Sequence, residues 1–384
     1  MTTDRVRVAV AGLGTIAQTV HLPLLERLGS RFTLSAVADV SPSVAERTGE
    51  RYGVPAERRF TSVDAMLQAG GFDAVLLLTS GTHAPAAADA LRRGYHVLAE
   101  KPLGYAQQEM AELEGLGEEL TARLMVGYMK QYDPAAQQLT ALVDEAGGPA
   151  AIHHIDVTVL HPSSQSQLAF AQLPPPAGDV SPELLAELRA AGDKPLRAAL
   201  GEDAPAALRE LYGIIMNSVC HELSLIRLLA GPPSTVDHAV MWPARSAGPG
   251  DAPSLELSGE LRGGGRYGIR WLYQPDYPAY RETVAVHHAT GSAELVFPAP
   301  YFLNAPTLLI TTTGREEQQT RTEFRSPVSG FEAELTAFHR LVTQGVPPLS
   351  GVPDAAADIA FAQAAVRRLA DRDGLTTAGE SAHE

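Results

Sequence analysis

The strongest constraint on this chain lies near its start, where Val6 to Leu25 reads VRVAVAGLGTIAQTVHLPLL. A short β-branched run ends at Ala11 and meets Gly12-Leu13-Gly14. An amphipathic, helical pattern then opens. Gly12-x-Gly14-x-x-Ala17 has the spacing of a dinucleotide-binding turn. The first glycine permits the tight turn, the second admits a pyrophosphate to the backbone, and Ala17 lets helix and strand pack closely. The helix N-terminus at Thr15 and Ile16 offers N–H groups and a positive dipole end to phosphates.

The same spacing recurs from Gly263 to Gly268. There a strand-like run, Ile269 to Tyr273, follows and no helix opens, so it reads as a hairpin turn. Only the first match has strand, turn and helix in order. The next strand ends at Asp39, 22 residues after Ala17. A carboxylate there accepts ribose hydroxyls and repels a 2′-phosphate, so NAD is expected in preference to NADP.

Up to Gly127, strands expected at 6–11, 32–39, 72–79, 95–99 and 123–127 alternate with helices at 15–28, 43–52, 62–69, 83–93 and 106–120. The buried runs lack alternation, as parallel strands covered on both faces do. Residues 1–128 therefore read as a Rossmann-type, doubly wound parallel sheet. Ligands of such sheets lie beyond the carboxyl ends of the strands. Thr79, Ser80, His83, Glu100 and Lys101 fall there and are candidate cofactor contacts.

Residues 129–371 read as a second domain of α+β type. A helix runs to about 145 and a strand spans 151–160. A Pro/Ala-rich insert, 161–207, holds one short helix at 181–191. A helix follows at 210–230. Seven strands between 234 and 325 then come without intervening helices, which predicts a large, mainly antiparallel open sheet. Helices at 329–344 and 354–371 are free to pack back on the first domain, and 372–384 reads as a frayed tail. The class is α/β plus α+β.

The net charge of −15, from 30 basic and 45 acidic side chains, argues against nucleic acid or an anionic membrane as partner. Cys220 is the only cysteine, so no intramolecular disulfide forms. No leader pattern and no apolar run near the ~20 residues of a membrane span stand out, so a cytoplasmic protein is expected.

Only three lysines occur, Lys101, Lys130 and Lys194, against 27 arginines. A retained lysine hints at a need for a compact ammonium. Lys101 follows a buried strand at the ligand end of the sheet, where it can polarise a substrate oxygen. Lys130 opens the second domain and either touches substrate or pairs with an acid. His221 follows Asn217 by one helical turn, which puts both on one face. A neutral imidazole there can relay a proton during hydride transfer. Trp271, Tyr273 and Tyr280 read as sheet packing and stay outside the site.

Several features together resemble the Gfo/Idh/MocA oxidoreductase family, named for glucose–fructose oxidoreductase and inositol dehydrogenase. They are the N-terminal turn, Glu100-Lys101-Pro102, Tyr132-Asp133-Pro134, His221 with Leu223, and Phe331-x-x-Glu334-Leu335-x-x-Phe338. The resemblance implies two domains and NAD(P)-dependent hydride transfer on sugars, cyclitols or related carbonyl, hydroxyl or imine compounds. It implies homo-oligomers, dimer or tetramer, built through the C-terminal sheet. Lys101 matches the family's catalytic lysine and His221 its catalytic histidine. Asn217 stands where the family commonly has Asp, and Asn cannot accept a proton at neutral pH. Two rival readings remain: a lyase, epimerase or glycosidase using transient oxidation by bound NAD, and a non-catalytic cofactor-binding regulator.

Overall fold

The computed structural model describes residues 5–163, 168–175, 177–243, 251–315 and 317–383. These form two compact units. The first is drawn from Met1–Tyr128, Ala171–Ala199 and Glu334–Ala356, and the second from Met129–Phe170, Leu200–Ala333 and Ala357–Glu384.

The first unit is built on a parallel sheet of six strands: β1 (Val6–Ala11), β2 (Phe32–Ala38), β3 (Arg59–Phe60), β4 (Ala74–Leu77), β5 (His96–Glu100) and β6 (Leu124–Gly127). Their spatial order is β3-β2-β1-β4-β5-β6. The chain winds outward from β1 and then returns to its other side at β4. The crevice between the carboxyl ends of β1 and β4 is therefore the topological switch point, where such sheets take ligands. Every residue of β4 is buried, and so are Val8 to Ala11 of β1, as two-sided coverage requires. The short β3 was not foreseen, because two residues carry no periodicity.

The 334–356 stretch belongs to this unit. Arg31 donates to the Thr336 hydroxyl at 2.6 Å, and Ser350 Oγ donates to the Val126 carbonyl at 2.7 Å. His339 meets the Phe32 ring edge-on, with centroids 5.5 Å apart.

The second unit holds an eight-stranded sheet: β7 (Ile152–His161), β8 (His238–Trp242), β9 (Ser254–Glu260), β10 (Arg266–Tyr273), β11 (Arg281–His288), β12 (Gly291–Phe297), β13 (Leu308–Arg315) and β14 (Gln318–Arg325). The order is β14-β13-β12-β11-β7-β10-β9-β8. All neighbours are antiparallel except β7 and β10, which run parallel at the sheet's middle. Alternate residues, Ile155, Val157 and Val159 on β7 and Tyr267, Ile269 and Trp271 on β10, are buried. On the opposite face Arg270 donates to both Asp156 and Thr158. The Gly263–Gly268 match lies at the turn between antiparallel β9 and β10, as its context predicted.

Three expectations need correction. The insert helix runs over Pro182–Leu200, past Gly192 and Pro195, because apolar spacing continues through both and Pro removes only one helix bond. Insert residues 164–167 and 176 lie outside the described set. The C-terminal stretch is not frayed: Ser381 is fully buried and Gln363 donates to Glu380 at 2.9 Å. Finally, Ala206–Ala230 is one 25-residue helix, long and apolar enough to cross a membrane by length and composition alone. It is mostly buried in the unit, so its apolar character serves the core.

Candidate active site

In the first unit the turn after β1 divides its two glycines by task. Gly12 has φ +86°, and a Cβ there would sit 2.6 Å from the Leu78 carbonyl, just past β4. Only glycine lets the two strand ends close on each other. A Cβ at Gly14 would meet nothing within 4 Å, so the backbone there faces open space. Ala17 is fully buried, which permits the close helix contact. Asp39 lies beside this turn: Leu13 N donates to Oδ2 and Ser41 N to Oδ1, both at 2.9 Å. A carboxylate at the end of β2 beside an open glycine backbone fits a dinucleotide. Gly12, Gly14, Thr15 and Ile16 would hold its diphosphate, and Asp39 its adenosine ribose. The helix that follows begins with a widened π turn, Ala17–His21, a local geometry frequent at functional sites.

The loops after β4 and β5 are joined by His83. Its ring is buried, with Nδ1 2.8 Å from the Pro102 carbonyl and Nε2 2.8 Å from the Thr79 carbonyl. Burial lowers its pKa, more than the two carbonyls and Glu100 raise it. His83 was expected at the cofactor. Both ring nitrogens face backbone instead, so its role is to tie the two loops together. Thr79 is half-buried and Ser80 exposed, on the open side of that tie.

Glu100 was also expected at the cofactor. It is buried, and its Oε1 lies 3.0 Å from His21 Nε2, while Lys101 N donates to Oε2 at 3.2 Å. Burial alone would raise its pKa. The His21 hydrogen bond, with the charges of His21, Lys101 and His83, reverses the direction and lowers it. Glu100 is thus a buried anchor that fixes the start of the Lys101 loop. Lys101 is half-exposed, and its bond to Pro102 is cis. Glu334, in the same unit, is fully buried and neither oxygen finds a hydrogen bond among the described residues. Burial first, and the charge of Glu100 second, push its pKa well above the carboxyl range. Burial thus favours its protonated form.

In the second unit the Ala206–Ala230 helix widens into a π turn at Ile215–Val219, which contains Asn217 and ends just before His221. Asn217 is exposed and its Nδ2 donates to the Gly213 carbonyl at 2.8 Å. His221 is half-buried on the next turn. Trp271 Nε1 donates to the Ser218 hydroxyl at 2.9 Å, which brings an aromatic group to this helix. His161 packs at a tilt against Trp271 with centroids 4.9 Å apart, and Tyr280 meets His161 edge-on at 5.9 Å. Sequence reasoning kept Trp271 and Tyr280 outside the site. No linear spacing brings β7, β10 and β11 together beside residue 218.

Lys130 follows the second of its two expected courses. It is buried, with Nζ 2.6 Å from Glu222 Oε1 and 2.5 Å from Glu282 Oε1. Tyr280 Oη donates to Glu282 Oε2 at 2.6 Å. Burial would lower the ammonium's pKa, but the two carboxylates more than offset this and raise it. Burial, eased by Lys130 but reinforced by Glu282, pushes Glu222 up to about 7. The adjoining cavity has about 50 Å³, far below the ~300 Å³ of a small-molecule site. The ammonium is accounted for without a substrate. Glu222, one position beyond His221, is spent here and does not replace the carboxylate that Asn217 lacks. Among the described residues no group of three or more His, Cys, Asp or Glu is placed to hold a metal.

Residues 6–128 match the family described as oxidoreductase family, NAD-binding Rossmann fold, Gfo/Idh/MocA. Residues 6–128 thus carry a Gfo/Idh/MocA-type NAD-binding domain. Inositol 2-dehydrogenase of Corynebacterium glutamicum is 30% identical over 145 residues, spanning 37% of this chain and 42% of that protein. The chain thus matches less than half the length of that relative. D-xylose 1-dehydrogenase (NADP(+)) 2 of Haloferax volcanii is 26% identical over 88% of this chain and 89% of its own length. A putative myo-inositol dehydrogenase from Sinorhizobium meliloti 1021 has a similar fold over 96% of this chain and 98% of its own. Its TM-score is 0.67 and its identity 21%.

Proposed function

We propose that this chain is an NAD-dependent oxidoreductase that moves a hydride between nicotinamide and a sugar- or cyclitol-like hydroxyl or carbonyl compound. The observation that carries the reading is the first unit's crevice. Open backbone at Gly14, the Asp39 carboxylate and half-exposed Lys101 all follow carboxyl ends of one parallel sheet. When bound, the nicotinamide would give or take the hydride. Lys101 would hold the reacting oxygen and, by its charge, favour the alkoxide form. His221 would take or return the hydroxyl proton, and Asn217 Oδ1 would accept from a neighbouring substrate hydroxyl. Relatives named as inositol and xylose dehydrogenases support the substrate class. Asp39 supports NAD over NADP. Assembly through the exposed face of the eight-stranded sheet accompanies this reading.

Asn217 favours a particular direction. Unlike Asp, Asn217 supplies no negative charge to an imidazolium formed at His221 in alcohol oxidation, whereas carbonyl or imine reduction needs none. The test is absorbance of NADH on mixing the protein with a panel of cyclitols and aldoses, and with their keto forms. Net change in NADH with at least one pair is expected. Turnover of a substrate with no net NADH, on protein that retains NAD through purification, would instead favour transient oxidation.

A further inference from the structure

The Pro42–Arg51 helix starts directly after β2, and its first turn is capped twice. Ser41 is its own cap, with Oγ accepting from Val44 N at 3.2 Å. The second cap comes from far along the chain. Asp179 Oδ1 accepts from Ser41 Oγ at 2.6 Å, and Oδ2 accepts from Ser43 N at 2.8 Å. Both residues belong to the first unit. The Ser41 hydroxyl first, and Ser43 second, hold the Asp179 carboxyl down to about 2, so it is an anion at neutral pH. Because Ser41 already caps the helix, Asp179 is not needed for capping.

The position of this second carboxylate gives it another meaning. Asp39, two residues before Ser41, is the group expected to hold the adenosine ribose. A 2′-phosphate on that ribose would project toward the next donors in the chain. These are the Ser41 hydroxyl and the N–H groups of the first helical turn, at the positive end of its dipole. Asp39-Val40-Ser41-Pro42-Ser43 contains no Lys or Arg to receive a phosphate. Of the donors that remain, the Ser41 hydroxyl and Ser43 N are engaged by Asp179, and Val44 N by Ser41 Oγ.

We propose that Asp179 is a cofactor-specificity residue, an intramolecular anion seated in the receiving place of a 2′-phosphate, which turns the protein against NADP. The proposal rests on the nicotinamide-binding reading above. NAD carries a plain hydroxyl at that position and needs none of these donors. An incoming phosphate has to displace Asp179 or share its space at like-charge cost. Asp179 is exposed, so water and salt screen that cost and the effect is moderate. Asp39 discriminates at the ribose itself. Asp179 adds a second barrier, supplied by the insert.

The test is equilibrium titration of the full chain with NADH and NADPH, followed by nucleotide fluorescence, for wild type, Asp179→Asn and Asp179→Ala. Melting curves would check that each variant is folded. In the variants the dissociation constant for NADPH should fall about tenfold while that for NADH changes less than about twofold. An unchanged ratio, with wild type binding NADH normally, overturns the proposal and leaves the hydride-transfer reading standing. Equal tightening for both cofactors also overturns it, since the insert would then obstruct the adenosine end irrespective of phosphate. If wild type binds neither nucleotide, the reading beneath the proposal falls and takes the proposal with it.

Discussion

Lys101 and Lys130 each follow the carboxyl end of a parallel strand, yet their surroundings are opposite. Lys101 is half-exposed on a loop whose start is fixed by buried Glu100. Lys130 is buried, with two carboxylates within 2.6 Å of its Nζ. The scarcity of lysine made both candidates for chemistry. A compact ammonium is useful for two unrelated reasons: reaching a substrate oxygen, and fitting between two buried acids. Burial separates these uses, and the sequence position does not.

The largest expected effect tests the first lysine. Lys101→Ala should lower kcat by about a thousandfold or more while the affinity for NADH stays near wild type. A loss confined to cofactor affinity would remove Lys101 from the chemistry. Next comes the second lysine. Lys130→Met leaves Glu222 and Glu282 together without their cation, which should destabilise the fold by about 3–5 kcal/mol. The check is chemical denaturation. A Lys130→Met protein of normal stability but raised KM would break the contrast, because both lysines would then serve the substrate.

The buried cluster also has a pH signature. Glu222 is raised from 4.5 to about 7, so its folded form holds a proton that its unfolded form releases. The associated stability is fully present below about pH 4.5 and is lost as pH rises through about 7. Buried Glu334, whose pKa is also raised, acts in the same direction. Wild-type Tm should therefore fall over that range. Glu222→Gln should flatten the slope by an amount on the order of 2 kcal/mol. An identical slope in the variant would show that Glu222 does not carry the proton. The smallest effect concerns direction: Asn217→Asp should speed alcohol oxidation roughly threefold, by adding a negative charge one helical turn before His221, and leave reduction unchanged.

The parts of this molecule that are local in sequence were legible there. Gly12, Gly14 and Ala17 sit between a strand and a helix, and the open and closed sides of that turn follow from spacing alone. The strand-helix alternation to Gly127 came from buried runs and breakers. What stayed hidden depends on partners distant in the chain. His83 looked like a cofactor contact because the carbonyls that hold it, Thr79 and Pro102, lie on two separate loops. Glu222 and Glu282 reach Lys130 from 92 and 152 residues away. The parallel pairing of β7 with β10 joins segments separated by the insert and a long helix, and no hydrophobic pattern encodes such a partner. Asp179 sits in a Pro/Ala-rich stretch with weak periodicity, where nothing pointed back to Ser41.

The central claim is that the open backbone at Gly14 receives a nicotinamide dinucleotide. Its most direct test is titration of the purified protein with NADH, in wild type and Gly14→Val, followed by fluorescence. Space beside residue 14 lets the valine variant fold, so its Tm should match wild type. The account predicts saturable wild-type binding well below millimolar and loss of that binding in the variant. No saturation in wild type, or equal affinity in both proteins, would contradict it.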